Sequence, residues 1–188
     1  MDCINQTASG VNFMNVVDFS RRRGIIVHLL PQVYALIKED REGKAGGGHF
    51  DSPFGSVPNI VLWTHDMRKA LVDIRKKWLF ALEGQRNVRG MMFYRIDDDG
   101  KSLYIDTLIA AKDAQAAVLE ALLVKFERDD LVKACEDFYV SRDVKREASE
   151  EVLESVGLQD ESVYNDEGYQ FIGDLAEAGK VLRVRYLR

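Results

Sequence analysis

An α/β fold built on one mixed sheet is what this sequence predicts, and three observations predict it. Between Trp78 and Arg128, three short strand-like runs separated by tight-turn residues lead into one stretch with helical apolar spacing. A second strand-then-helix alternation follows, from Glu136 to Val140 and then from Val144 to Val156. A strand, a crossover helix and a further strand require parallel neighbours, whereas the tightly turned runs before them pair antiparallel.

Taken in order, residues 1 to 23 are polar and end in Arg21-Arg22-Arg23, with only Val11 to Phe19 apolar enough for a strand or an extended arm. This stretch is assigned as an N-terminal extension and residues 24 to 188 as a single domain. Gly24 to Leu30 is β-branched and apolar, the pattern of a buried strand, and Pro31 then opens a helix marked by Val33, Leu36 and Ile37. Residues 43 to 58 hold Gly43, Gly46, Gly47, Gly48, Gly55, Pro53 and Pro58, which predicts an irregular loop. Met67, Leu71, Ile74 and Trp78 then recur at helical spacing, with Arg68, Lys69, Arg75, Lys76 and Lys77 on the other faces.

The three strands follow: Trp78 to Glu83, Val88 to Ile96 and Leu103 to Ala110, joined by turns at Gly84-Gln85-Arg86-Asn87 and Asp97-Asp98-Asp99-Gly100. The helix is Gln115 to Glu127. After the strand at 136 to 140, Asp143 is placed to cap the next helix and Gly157 to end it. Leu158 to Tyr164, Tyr169 to Ile172 and the alternating Leu182 to Tyr186 read as closing strands.

Composition narrows the function classes. The 188 residues, 46% hydrophobic and 30% charged, suffice for one full core. Twenty-six basic against thirty-one acidic residues give a net charge of -5, which argues against broad nucleic-acid binding, because phosphate neutralisation needs a basic surplus. Cys3 and Cys135 lack metal-ligand spacing and fit a reducing, cytoplasmic compartment better than a disulfide framework. Met1 to Phe19 lacks a secretory pattern, and no run approaches the roughly 20 apolar residues of a membrane span. His28, His49 and His65 show no paired ligand spacing, Gly46-Gly47-Gly48-His49 lacks the lysine and hydroxyl of a P-loop, and the Asp97 to Gly100 run is a turn rather than a calcium loop.

Strand alternation places Tyr104, Asp106, Leu108 and Ala110 on one face and Leu103, Ile105, Thr107 and Ile109 on the other. Asp106 thus interrupts an apolar face, where a carboxylate must be paired, hydrogen-bonded or open to a cavity. A structural pairing with Arg95 on the neighbouring strand and a catalytic role both remain open. Glu83, at the end of its strand beside a turn, is a second carboxylate.

Trp78-Leu-Phe-Ala-Leu-Glu-Gly with Val88-Arg-Gly-Met-Met-Phe-Tyr, Leu103-Tyr-Ile-Asp-Thr-Leu-Ile, and Phe138-Tyr-Val-Ser through Leu153-Glu-Ser-Val-Gly-Leu stand in an order that resembles the GCN5-related N-acetyltransferase (GNAT) family from about Gly24 to Leu187. The resemblance implies a mixed central sheet of about six or seven strands flanked by about four helices. It implies that the sheet splays between its fourth and fifth strands, with acetyl-coenzyme A in the gap against Leu108, Ile109, Ala110, Gln115, Ala116, Ala117, Val118 and Ser141. In the family signature, Gln or Arg is followed by two residues, Gly, one residue, and Gly or Ala; here Gln115 matches, while Val118 and Glu120 stand at the small positions. A β-branched side chain there obstructs close approach of backbone to phosphate, and a carboxylate repels it.

The family's tyrosine that protonates the leaving thiolate is replaced by Leu153, with Tyr139 on the neighbouring strand as a substitute. Asp106 and Glu83 are then the candidate bases, and His49, Asp51 and Phe54 the candidate acceptor contacts. The implied activity is acetyl-CoA-dependent N-acetyl transfer to an amine on a small molecule or protein. The competing reading is a non-catalytic interaction or structural protein on the same fold, part of a larger assembly, and an acyltransferase with another acyl donor is a third. Homo-oligomer formation is left open.

Overall fold

The computed structural model describes residues 14–18, 23–41, 50–52, 55–57, 75–84, 86–141, 165 and 169–186. Its elements are β1 (Met14–Asp18), α1 (Arg23–Arg41), β2 (Phe50–Ser52), β3 (Gly55–Val57), β4 (Lys76–Glu83), β5 (Asn87–Ile96), β6 (Ser102–Ala110), α2 (Gln115–Glu127), α3 (Asp130–Lys133), β7 (Asp137–Ser141), β8 (Tyr169–Gly173) and α4 (Leu175–Tyr186). Six strands form one sheet in the order β1-β4-β5-β6-β7-β8, and β2 pairs with β3 separately. Within the large sheet only β6 and β7 run parallel; the other neighbours are antiparallel. A mixed α/β sheet with four α-helices among the described residues is the predicted class.

Two cores sandwich the sheet. On one face Val118, Leu119, Leu122, Leu123 and Phe126 of α2, with Ala178, Val181 and Leu182 of α4, pack on Leu79, Met92, Tyr94, Leu103, Ile105, Leu108, Phe138 and Val140. At about 2 kcal/mol per buried large apolar side chain, α2 alone contributes on the order of 10 kcal/mol of gross burial. On the other face Leu29, Leu30, Val33, Leu36 and Ile37 of α1 pack on Trp78, Phe80, Leu82, Met91, Phe93 and Ile109.

Several expectations are corrected. Gly24 to Leu30 is helix rather than strand, because α1 runs unbroken from Arg23 to Arg41 with Pro31 inside it. The apolar run at Leu29 and Leu30 continues through Val33, Leu36 and Ile37 as one helical stripe, and its burial outweighs the hydrogen bond that the proline removes. The sheet's first strand is instead β1, drawn from residues 1 to 23 and paired with β4 from Met14↔Glu83 to Asp18↔Leu79. Leu182 to Tyr186 is the end of α4, not a strand. Asp174 accepts from the Ala176 and Glu177 amides at 2.8 and 3.1 Å and starts that helix, so Ala178, Val181 and Leu182 fall on one buried stripe. The stretch from 43 to 58, expected to be irregular, contains the β2–β3 ribbon with Asp51 opposite Ser56. Lys76, Lys77 and Trp78, expected in a helix, lie in β4, with Arg75 in the turn before it; residues 67–74 of that helix, the helix from Val144 to Val156 and the strand from Leu158 to Tyr164 lie outside the described residues.

Candidate functional site

The parallel pairing of β6 with β7 runs from Ser102↔Asp137 to Ile105↔Val140 and ends there. Beyond it β6 continues from Asp106 to Ala110 with no β7 partner among the described residues. Ser141 closes the last step with its side chain, Oγ donating to the Asp106 carbonyl at 2.8 Å. The sequence order predicts that the two strands part beyond this point; the stretch that follows Ser141 lies outside the described residues.

Asp106 stands at that point because of a bulge. Phe93 and Tyr94 are consecutive on β5, yet their partners Thr107 and Ile105 are two apart, so Asp106 is the extra residue. The bulge corrects the expected alternation: Leu103, Ile105 and Leu108 all enter the core beneath α2, whereas Ile109 enters the α1 core. A charged residue is thereby accommodated without burying it among the apolar side chains on either side.

What Asp106 meets is an aromatic row. Arg95↔Tyr104, Tyr104↔Tyr139 and Tyr139↔Phe171 are successive cross-strand partners, running across β5, β6, β7 and β8. The Arg95 guanidinium lies 4.2 Å from the Tyr104 ring centroid, Tyr104 stacks on Tyr139 at 4.8 Å, and Tyr139 meets Phe171 at 5.5 Å. Tyr169, two residues before Phe171, stands edge-on to Tyr104 at 5.1 Å and donates its hydroxyl to Asp106 Oδ1. Arg95 Nε reaches Asp106 Oδ2 at 3.9 Å. Burial, then the Asp106 charge and the hydrogen bond to it, raise the Tyr169 phenol above its ordinary pKa, and Arg95 opposes them.

On the α2 face of the same parting lies Gln170, the partner of Val140. It is 3% exposed, and its buried Oε1 has no hydrogen-bond partner among the described residues. Beyond the end of β6, a short 3₁₀ turn at Lys112–Ala114 leads into α2. The first turn of α2 carries no acidic residue, and the side chains of Ala116 and Ala117 are small and exposed.

Val118 and Glu120 take roles different from those their positions suggest. Val118 is fully buried and fills the space over Gly90, where a Cβ would stand 2.2 Å from its Cγ1. Replacing it with glycine would open a core cavity. Glu120 is bound by Arg183 of α4 at 3.1 and 3.3 Å, so its charge is matched locally.

The two candidate bases are not brought together. Glu83 accepts from Asn87 Nδ2 at 3.0 Å and lies 3.6 Å from Arg89 Nε, and Arg89 in turn binds Asp113 just before α2 at 2.5 Å. Asp106 lies about six residues further along the sheet, roughly 20 Å at strand spacing. Tyr139 is packed within the aromatic row. Leu108 and Ile109 bury their side chains, so they can offer only backbone, as can Ala110. Asp51 lies in β2, while His49 and Phe54 lie outside the described residues. Tyr169 and Gln170 were missed: their strand is legible, but no spacing links Tyr169 to a carboxylate 63 positions earlier.

No family model matches the chain, and no curated protein matches its sequence. Solved structures do. A variant of spermidine N-acetyltransferase SpeG from Vibrio cholerae is similar at 14% identity over 77% of this chain and 75% of that one, with a TM-score of 0.48. Tetrahymena GCN5 is similar at 12% identity over 69% and 71%, TM-score 0.46. An aminoglycoside acetyltransferase from an uncultured soil metagenomic sample, in complex with sisomicin, is similar at 15% identity over 79% and 89%, TM-score 0.47. Among the described residues no helix is long and apolar enough to cross a membrane.

Proposed function

We propose that the protein is an acetyl-coenzyme A-dependent N-acetyltransferase acting on an amine. The observation that carries the reading is the parallel pair β6–β7, whose pairing among the described residues ends at Ile105↔Val140, with a bulged carboxylate at that point and a helix starting beyond the end of β6. Small, exposed residues at Ala116 and Ala117, in a helix first turn without acidic side chains, suit a pyrophosphate. The unpartnered Gln170 Oε1 suits an amide-bearing arm lying along the parted strands, because a buried acceptor is costly until a donor reaches it. Both features fit the cofactor without the glycines of the signature.

Bound there, the cofactor supplies an acetyl thioester. The chain's own part is to hold the strands apart, to present the backbone of Leu108 to Ala110, and to receive at Asp106 a proton from the attacking amine. Glu83, engaged with Asn87 and Arg89, serves instead to fix the approach to α2.

Calorimetric titration with acetyl-coenzyme A tests this. Saturable binding that is weakened by Gln170→Leu is expected. Absence of binding to the intact chain would leave the non-catalytic, interaction-protein reading as the better one.

A further inference from the structure

Tyr169 ties β8 to the carboxylate at the parting of the strands. Its hydroxyl hydrogen is committed to Asp106 Oδ1 and its oxygen already receives a hydrogen bond from the Arg95 side chain, which leaves one of the two lone pairs to accept from elsewhere. Three contacts hold that orientation. The ring stands edge-on to Tyr104 at 5.1 Å, the Arg95 guanidinium is 5.3 Å from its centroid, and the Tyr169 amide donates to Asn165 Oδ1 at 2.9 Å. On the carboxylate side, Arg95 Nε lies 3.9 Å from the second oxygen, and the Asp106 backbone carbonyl is pinned by Ser141. Asp106 and Tyr169 are each partly exposed.

We infer that Tyr169 is the catalytic residue that meets the acceptor amine, passing the amine's proton through its hydroxyl to Asp106. This rests on the acetyltransferase reading and deepens it. As the amine nitrogen forms its bond to the thioester carbonyl carbon, an N–H proton moves to the Tyr169 oxygen and the Tyr169 proton moves to Asp106 Oδ1. The C–S bond then breaks with its electron pair on sulfur. The thiolate takes a proton from water, and Asp106 returns its own to solvent. Because the two proton movements are concerted, no free phenolate forms; the raised phenol pKa disfavours one in any case. Arg95, through its contact with Asp106, is a positioning residue.

The test measures thiol release from acetyl-coenzyme A with n-butylamine, spermidine and a lysine-containing peptide as probe acceptors, on the full chain and on Tyr169→Phe and Asp106→Asn. Calorimetric Kd for acetyl-coenzyme A and melting temperature are measured on each. The amide that Asp106→Asn introduces still offers an oxygen to the Tyr169 hydroxyl, so this variant keeps the contact and loses only the proton acceptor. Positioned acid–base groups contribute on the order of 100-fold or more. Both variants are expected to lose about that much in kcat, with Kd changed less than about twofold and melting preserved. Should Tyr169→Phe fail to fold, Asp106→Asn alone decides. Turnover within about threefold of the parent in either folded variant overturns the proton route and leaves the transferase reading standing. Binding without thiol release to any probe overturns the route and leaves a cofactor site. No binding by the parent overturns both.

Discussion

The two faces of the sheet each contain an arginine closing an acidic cluster, and the clusters are built differently. Under α2 and α4, Arg183 binds Glu120 and Glu127 with both ends of its guanidinium, at 3.1 and 3.3 Å to the first and 2.5 and 3.0 Å to the second. Gly179 leaves the room for this, since a Cβ there would lie 2.5 Å from Glu127 Oε1. Both carboxylates are matched by a cation, and the arrangement joins two helices. On the opposite face Arg95 Nε lies 3.9 Å from Asp106 Oδ2, and the Tyr169 phenol donates to Oδ1. That cluster sits on a bulge, where one strand is leaving another. An arginine thus serves cohesion between helices in the first cluster; in the proposed mechanism it positions a proton acceptor in the second.

The largest effect is expected where the helix face is tightest. A side chain at Gly90 would meet Val118 Cγ1 at 2.2 Å and the Ile109 carbonyl at 2.9 Å, the latter being backbone that cannot swing away. Gly90→Val should cost about 3 kcal/mol in urea unfolding, at the upper end of ordinary overpacking. Combined with Val118→Ala, Gly90→Ala should cost less than the two single changes added, by more than about 0.5 kcal/mol, since the contact is shared. Strict additivity would show that α2 does not seat on β5 through this pair.

Next come the two arginines. Arg183→Met removes four charge-assisted hydrogen bonds and leaves two carboxylates on one helix face. A loss of about 1–2 kcal/mol is expected, discounted because the side chains are roughly a third exposed. Arg95→Met should cost less than about 1 kcal/mol of stability, since its ion pair is long and its methylene stem can still cover Tyr104. Its effect should fall on turnover. Equal losses of stability in the two variants would erase the distinction between the faces.

Why the sequence revealed one face better than the other follows from these contacts. The strands from Trp78 to Ala110 and the helix from Gln115 to Glu127 are carried by local periodicity and turn residues, so they are legible. Asp106 stood out because it breaks an apolar pattern, and Arg95 was named as its partner for the same reason. The bulge that moves Leu108 to the other core was not legible, because it is defined by pairing with β5 and leaves no mark on spacing. That Val118 packs over Gly90 was not legible either, because Gly90 stands on another strand. Leu182 to Tyr186 alternates as a strand would, yet Asp174 eight residues upstream and the buried stripe of α4 decide for helix. The misreadings share one cause: the deciding partner lies elsewhere in the chain.

A hydroxyl on the helix face offers a smaller test. Tyr94 is fully buried, and its OH donates to Asp129 Oδ2 at 3.0 Å while the other oxygen of Asp129 caps α3 through the Leu131 amide. Burial first, then the Asp129 charge, push this phenol well above its usual pKa, so it stays a donor throughout the working range. Tyr94→Phe should cost about 1 kcal/mol. It should leave turnover alone, unlike Tyr169→Phe; a comparable loss of kcat would mean the two tyrosines are coupled through the sheet.

The smallest effect belongs to neither face and sets a baseline for acid sensitivity. Asp99, in the turn between β5 and β6, accepts from the Lys101 amide at 2.7 Å and the Ser102 amide at 3.1 Å, and these bonds hold its carboxyl below the ordinary range. A carboxylate depressed in the folded state stabilises above its unfolded pKa, about 3.9, and that contribution disappears as pH falls through the lower folded value. Asp99→Ala should therefore differ from the parent most at neutral pH and converge with it in acid, as read from unfolding midpoints across the acidic range. A difference that persists unchanged into acid would assign the role of Asp99 to turn shape rather than charge. Because the turn is exposed and distant from the parting of the strands, turnover should follow the parent at every pH where both are folded.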